Sequence, residues 1–136
     1  MTAIAIDTSA IIAILRHEAD REVFVDAVLA ASPRFMSAVS LQEASMIIAG
    51  RRGDAAAWQP LDELLSWLRI EIVSQDERLA RIARDALVRF GKGCHSASLN
   101  LGDCAAYALA HANELPLLFK GKDFAQTGIR PALSAA

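Results

Sequence analysis

The sequence predicts a single α/β domain over residues 1–136, with a mostly parallel sheet of four to five strands covered by helices on both faces. Short apolar runs that are typical of buried strands alternate along the chain with longer segments of helical periodicity. Strands that alternate with helices imply right-handed crossovers, which place successive strands in parallel. A hydrophobic fraction of 54% over this length is enough for one core, and no internal repeat or linker divides the chain.

In the first half of the chain, the pattern predicts two strands and three helices. Isoleucine alternates with alanine before Asp7, as in a short buried strand, and Asp7 or Thr8 can cap the helix that follows. Pro33 ends the second helix because proline cannot continue one, and Gly50 is a suitable end for the third. The predicted elements are a strand at 2–6, helices at 9–17 and 19–31, a strand at 34–38 and a helix at 40–50.

The second half predicts three further helices and at least two strands. An amphipathic helix at 55–68 carries apolar residues at helical spacing, and an alanine-rich helix at 102–113 can pack closely on a sheet. The remaining elements are a strand at 70–73, a helix at 76–90, a loop at 91–100, a strand at 116–119 and a possible edge strand at 129–132.

Four acidic residues lie where a strand or loop leads into a helix or turn: Asp7, Glu43, Asp103 and Asp123. Asp7 and Asp123 directly follow predicted strands, and Glu43 lies five residues past one. In a parallel sheet, sites form beyond the carboxyl ends of the strands. Asp103 joins such a site only if the helix that it opens begins at the same edge. The four carboxylates are therefore candidates for one acidic cluster.

Each acid also has a purely structural interpretation. Asp7 can act as a helix cap and Asp123 as a turn residue. Ser40 and Glu43 match a capping box, and Asn100 and Asp103 match a looser version of it. As a set, however, carboxylates about 4 Å apart repel by roughly 4 kcal/mol at an effective dielectric near 20. A converging set needs protons or cations, and Mg²⁺ or Mn²⁺ suits oxygen ligands of this kind.

Four segments carry a more specific signal: IDTSA at 6–10, SLQE at 40–43, LNLGDCAAYALA at 99–110 and LLFKGKDF at 117–124. In these segments, and in their order and spacing over nearly the whole chain, the sequence resembles the PIN-domain ribonucleases, specifically the VapC-type toxins of bacterial toxin–antitoxin pairs. The resemblance implies a three-layer α/β/α fold, a metal-dependent endoribonuclease acting on RNA, a homodimer, and a small antitoxin that blocks the active site in a hetero-oligomer.

The resemblance also implies roles for individual residues. Asp7, Glu43 and Asp103 form the metal core, and Asp123 completes the pocket directly or through water. A hydroxyl of Thr8 or Ser9 orients a carboxylate or a water, and Asn100 supports Asp103 or caps its helix.

Five basic residues are candidates for contact with the RNA backbone, against the alternative of a solvated surface: Arg51, Arg52, Lys92, Lys120 and Lys122. The apolar face of the helix at 55–68 is a candidate dimer surface, unless it packs on its own core.

Composition and motifs exclude other classes of protein. A net charge of −2 argues against a large basic nucleic-acid footprint, and neither a P-loop nor a GxGxxG motif is present. The two cysteines form no disulfide framework, and we expect a cytoplasmic protein without a signal peptide or membrane span. Two alternatives stay open: a catalytically silent PIN-fold module that binds RNA or a partner, and a metal-dependent phosphatase of another doubly wound fold.

Overall fold

The computed structural model describes residues 1–50, 53–91 and 97–133, and in them four strands and six helices alternate as the sequence predicts. The elements are β1 (Ile4–Ile6), α1 (Thr8–Leu15), α2 (Arg21–Leu29), β2 (Arg34–Ser37), α3 (Ala38–Ala49), α4 (Trp58–Trp67), β3 (Glu71–Val73), α5 (Glu77–Phe90), α6 (Leu101–Ala112) and β4 (Leu117–Leu118). The strands lie in the order β3-β2-β1-β4, and all neighbours are parallel. No helix in the described ranges is long and apolar enough to cross a membrane.

The sheet separates two hydrophobic clusters because successive side chains of a strand point to opposite faces. Ile4 and Ile6 of β1 join the cluster that is built with α1, α2 and α4, whereas Ala5 joins the cluster on the other face. The second cluster contains α5 and the alanine-rich α6, which lies against β1 and β2. The observed architecture is thus the predicted three-layer α/β/α arrangement.

The start of α3 differs from the sequence prediction. The helix begins at Ala38, and its cap is Ser37, whose side chain accepts a hydrogen bond from the backbone N–H of Val39. Ser40 therefore lies inside the first turn, and the proposed capping box between Ser40 and Glu43 is wrong. Glu43, one turn further along, is left free for another role.

Two predictions for the periphery of the domain also change. The segment predicted as an edge strand at 129–132 makes only an isolated bridge between Pro131 and Leu117, so the described sheet has four strands. The apolar face at 55–68 packs on the domain's own core, since Leu61, Leu65 and Leu68 are buried there. These leucines are not available as a dimer surface. Residues 55–57 form a short 3₁₀ turn ahead of α4.

Candidate active site

The structure brings the four predicted acids to the edge where the parallel strands end. Asp7 follows β1, Glu43 lies on the helix that follows β2, Asp103 lies in the first turn of α6, and Asp123 lies in the segment after β4. The negative charges of Asp103 and Glu43 both raise the pKa of Asp7, and those of Asp123 and Glu43 raise the pKa of Asp103. The four carboxylates therefore share one electrostatic environment.

Asp7 is the most deeply buried acid of the cluster, with an exposed fraction of 3%. Burial is the main cause that raises its pKa to about 7, and hydrogen bonds from Ser9 oppose the shift. Oδ2 of Asp7 accepts from the backbone N–H of Ser9 at 3.0 Å and from its hydroxyl at 2.6 Å. Oδ1 is buried without a hydrogen-bond partner among the described residues. A buried acceptor of this kind is costly unless a ligand satisfies it.

Asp103 is held by the cap of its own helix. The side chain of Asn100 accepts from the backbone N–H of Asp103 at 2.9 Å, and Oδ2 of Asp103 accepts from the backbone N–H of Asn100 at 3.0 Å. This reciprocal capping box is the one that the sequence suggested. Burial raises the pKa of Asp103 to about 6, ahead of the effect of the neighbouring acids. Capping and a place in the acidic cluster are thus compatible.

Gly102 is a site residue that sequence reasoning missed. α3 packs against α6, and a Cβ atom at Gly102 would overlap the carboxylate of Glu43. The half-buried Glu43 side chain therefore lies directly over the backbone next to Asp103. Glycine is unfavourable within a helix, by about 1 kcal/mol relative to alanine. A glycine within a predicted helix is the sequence feature that could have indicated such a close approach.

Hydroxyl groups connect the elements around the cluster. Thr8 donates its hydroxyl to the backbone carbonyl of Ser40 at 3.0 Å, which joins α1 to α3. The hydroxyl of Ser9 accepts from the backbone N–H of Lys120 at 2.9 Å while it donates to Asp7. The segment that carries Asp123 is therefore hydrogen-bonded to the side chain that fixes Asp7.

Of the five basic residues predicted to contact RNA, the structure describes two, Lys120 and Lys122. Lys120 donates from Nζ to Glu18 at 2.6 Å and to Asp20 at 3.1 Å, and these hydrogen bonds raise its pKa. Lys122 is exposed beside Asp123. The other three, Arg51, Arg52 and Lys92, lie outside the described residues.

The donor chemistry of the cluster fits a hard divalent cation. Its carboxylates supply oxygen ligands, and Oδ1 of Asp7 lacks a partner among the described residues. Burial, together with the neighbouring acids, raises the pKa values of Asp7 and Asp103. Within residues 1–50, 53–91 and 97–133, no three Asp, Glu, His or Cys side chains are arranged so that they could hold a metal ion, and the carboxylates would therefore have to move to bind one together. The thiol of Cys104 is no competitor, because burial and Asp103 raise its pKa to about 11.

Comparison with known proteins gives a consistent assignment. The PIN domain family model matches residues 4–129. The chain is 45% identical over 129 residues to ribonuclease VapC28 of Mycobacterium tuberculosis, covering 94% of this chain and 96% of that protein. Among solved structures it is similar to Mycobacterium tuberculosis VapC20, a Sarcin-Ricin loop cleaving toxin, with a TM-score of 0.72, 19% identity and coverage of 93% and 95%. A toxin–antitoxin complex from Klebsiella pneumoniae matches with a TM-score of 0.67, 16% identity and coverage of 97% and 99%. The chain belongs to the PIN-domain family and, within it, to the VapC ribonucleases.

Proposed function

We propose that this chain is the toxin of a toxin–antitoxin pair and acts as a divalent-metal-dependent endoribonuclease that hydrolyses phosphodiester bonds of RNA. Identity of 45% to a VapC ribonuclease supports the reaction class. The observation that carries the metal dependence is the buried Oδ1 of Asp7, which has no partner in the described part of the chain and lies inside a group of four carboxylates.

Asp7, Glu43, Asp103 and Asp123 are the residues that would hold Mg²⁺ or Mn²⁺. Such a cation, when bound, neutralises charge on the phosphate and lowers the pKa of water, which are the contributions that hydrolysis at phosphorus requires. Ser9 fixes one oxygen of Asp7, whose other oxygen has no hydrogen-bond partner among the described residues, and Asn100 fixes one oxygen of Asp103. These two contacts orient the carboxylates before any ligand arrives.

Protonation of the cluster should compete with the cation. With a pKa of about 7, Asp7 is half protonated near neutral pH and must lose its proton to act as a ligand. Cleavage should therefore rise with pH through the range near 7 at limiting metal concentration. Saturating metal should shift that rise to lower pH.

The function is tested by incubating the protein with single-stranded RNA and, separately, with a phosphomonoester, in chelator and after Mg²⁺ or Mn²⁺ is restored. We expect internal cleavage of the RNA only with metal. RNA binding without cleavage would favour the silent module, and hydrolysis of the phosphomonoester alone would favour the phosphatase. Full cleavage in excess chelator would refute the metal dependence.

Replacing Gly102 by alanine should lower cleavage by about 10- to 100-fold, the range that loss of a group supporting a metal site typically produces. The reason is steric, because the added Cβ displaces the carboxylate of Glu43. Alanine alone would raise helix stability by about 1 kcal/mol, so a generally damaged helix is not the expected cause. The cleavage rate and the unfolding midpoint are measured on the same variant.

The control is a double-mutant cycle with Glu43→Gln. If Gly102 acts by placing Glu43, the double variant loses little more activity than either single variant. Fully additive losses would show that Gly102 matters for another reason. Normal cleavage by Glu43→Gln would remove Glu43 from the site altogether.

The toxin role requires an antitoxin, and the fold shared with a toxin–antitoxin complex supports such a partner. We further propose that the chain forms a homodimer and, with its antitoxin, a larger hetero-oligomer. Leu61 and Leu65 of α4, and Leu68 directly after it, are excluded from the dimer contact because they are buried in the domain core. Light scattering of the isolated chain tests self-association, and a strictly monomeric mass would reject the homodimer.

A basic side chain of the antitoxin should inhibit the enzyme by entering the acidic cluster. Arginine suits this role because its planar guanidinium pairs with carboxylates through two hydrogen bonds. Since the antitoxin and the cation would then compete for the same four acids, excess Mg²⁺ should partly restore cleavage in the inhibited complex. Cleavage is measured over a metal titration with wild-type antitoxin and with variants in which each basic tail residue is replaced by alanine. Inhibition indifferent to both metal and every basic residue would contradict this mechanism.

A further inference from the structure

A cleft of about 640 Å³ opens beside the acidic cluster, between α2 and the segment that follows β4. Its volume lies within the range of about 300–1,000 Å³ that is usual for small-ligand sites. Three phenylalanines line it, of which Phe24 and Phe124 are buried and Phe119 is partly exposed. The rings of Phe119 and Phe124 pack with centroids 5.0 Å apart, so the buried ring supports the accessible one.

Hydrogen bonds connect a residue that lines the cleft to the candidate active site. Lys120 lines the cleft, and its backbone N–H donates to the hydroxyl of Ser9, which in turn holds Asp7. Asp123, whose charge acts on Asp103, lies in the same segment, between the cleft residues Lys122 and Phe124. A ligand in the cleft would therefore lie against the segment that carries Asp123.

Two partly exposed polar side chains, Lys120 and Asp20, converge on this largely apolar surface. Nζ of Lys120 donates to Glu18 and to Oδ1 of Asp20, which occupies two of the three donors that an ammonium group has. The side chains of Lys120 and Asp20 stay partly exposed, at 41% and 37%. A donor and a carboxylate acceptor consequently stand side by side at the cleft.

Such a combination matches a nucleobase. Every base carries a hydrogen-bond donor and an acceptor next to each other on its Watson–Crick edge, and proteins bind unpaired RNA bases by packing aromatic rings on their faces and hydrogen-bonding their edges. Lys122, an exposed cation next to Asp123, is placed to contact the adjoining phosphate. A peptide tail needs an extended groove, whereas this cleft has the volume of a single compact ligand.

We propose that the cleft between α2 and the segment after β4 binds the base of a nucleotide that flanks the scissile phosphodiester, and so sets the sequence preference of cleavage. This inference rests on the proposed ribonuclease function. In this arrangement Phe119 packs on the face of the base, and Asp20 with Lys120 contacts its edge. A second cleft, of about 550 Å³, lies around Ala3 and Pro116 at the opposite ends of the strands and has no such relation to the acids.

Binding is tested first, without catalysis. The four nucleoside monophosphates and ribose 5-phosphate are titrated into the metal-free protein while backbone amide resonances are followed by NMR. We expect at least one nucleotide, but not ribose 5-phosphate, to shift the amides of Lys120, Gly121 and Phe124 in a saturable manner. Phe119→Leu should weaken that nucleotide's affinity by about tenfold, as loss of one stacked ring does. No saturable shift with any nucleotide, or equal shifts with ribose 5-phosphate, would overturn the proposal.

Specificity is tested next, by mapping cut sites in a randomised RNA pool. Asp20→Asn should change the nucleotide frequency at one position beside the cut, because it replaces an acceptor by a group that also donates. Asp20 makes no side-chain cap bond to α2, so the fold should tolerate the change. Asp26→Asn, the same substitution at an exposed position of the same helix, is the matched control and should leave the pattern unaltered.

The outcomes separate this proposal from the function on which it rests. If the wild-type protein cleaves no RNA, the ribonuclease assignment fails, and the nucleotide titration still decides whether the cleft binds a base. If RNA is cleaved but Asp20→Asn and Phe119→Leu keep the wild-type cut pattern and KM, the cleft is not a base subsite. If an antitoxin tail peptide shifts the cleft amides and no nucleotide does, the cleft is a binding site for the antitoxin and not for a base.

Discussion

Replacing Asp103 by asparagine should lower RNA cleavage by more than about 100-fold, the upper end of the loss that even outer partners of a metal ligand produce. The substitution removes one negative charge from the acidic cluster at nearly constant volume. Asparagine still offers a carbonyl oxygen to the backbone N–H of Asn100, so the capping box that starts α6 can persist. The loss should therefore appear in activity and not in folding.

Asp76→Asn is the matched control for this prediction. Asp76 also caps a helix, since its side chain accepts from the backbone N–H of Leu79 at the start of α5, but it is exposed and lies outside the cluster. Single-turnover cleavage and circular dichroism are measured on both variants. Full activity of the Asp103 variant would refute the proposed site, and equal losses in both variants would mean that cap chemistry, not the cluster, is responsible.

The predicted fold and the observed fold agree because the sequence signal for it is strong at every level. Alternation of short apolar strands with helical segments determines a parallel sheet, and such a sheet must place Asp7 and the residues after β2 and β4 at one edge. Asp103 reaches the same edge because α6 starts there. That placement was a condition of the sequence argument and is met in the structure.

The start of α3 shows where local sequence is insufficient. Ser37 and Ser40 lie three residues apart, and both have side chains that suit a helix cap. Only the length of β2, which ends at Ser37, decides between them. Since Ser37 is the cap, Glu43 is released from the capping role that its spacing from Ser40 suggested.

Contacts between helices that lie far apart in the sequence could not be predicted, for a similar reason. The approach of Glu43 to Gly102 depends on how α3 packs against α6, which no local pattern encodes. The same holds for the link from Lys120 through Ser9 to Asp7, in which the donor is a backbone N–H that has no sequence signature. The face of α4 is another example, because an amphipathic pattern is the same whether it is buried within the domain or against a partner.

In the absence of metal, Asp7→Asn should stabilise the protein by up to about 4 kcal/mol at about pH 8, the free energy that corresponds to a shift of roughly three pKa units. The pKa of Asp7 in the folded protein is about 7, above its ordinary value of 3.8, because burial disfavours the charged form. The folded state thus holds a proton that the unfolded state releases. Stability contributed by this group is fully present below the ordinary pKa and is lost as pH rises through about 7.

Asparagine has no proton to lose, so its advantage should grow over that same pH range and vanish in acid. Thermal unfolding in chelator, measured from about pH 4 to about pH 8, should show an increasing gap between variant and wild type that reaches about 10 °C. Asp76→Asn, measured in parallel, controls for the replacement of a capping carboxylate at the exposed surface. A pH-independent difference between the Asp7 variant and wild type would reject burial of charge as its cause.

Added Mg²⁺ should reverse the order of stability. A ligand that binds only the folded state stabilises it in proportion to the logarithm of its concentration over its dissociation constant. In the wild-type protein, Oδ1 of Asp7 has no partner among the residues that the structure describes and can bind the cation. The wild-type protein should therefore gain stability steeply with Mg²⁺, whereas Asp7→Asn should gain little. The charge that is unfavourable in the metal-free protein is then the same charge that binds the cation. If Mg²⁺ stabilised both proteins equally, the cation would bind elsewhere, and Asp7 would be a buried cap without a part in the metal site.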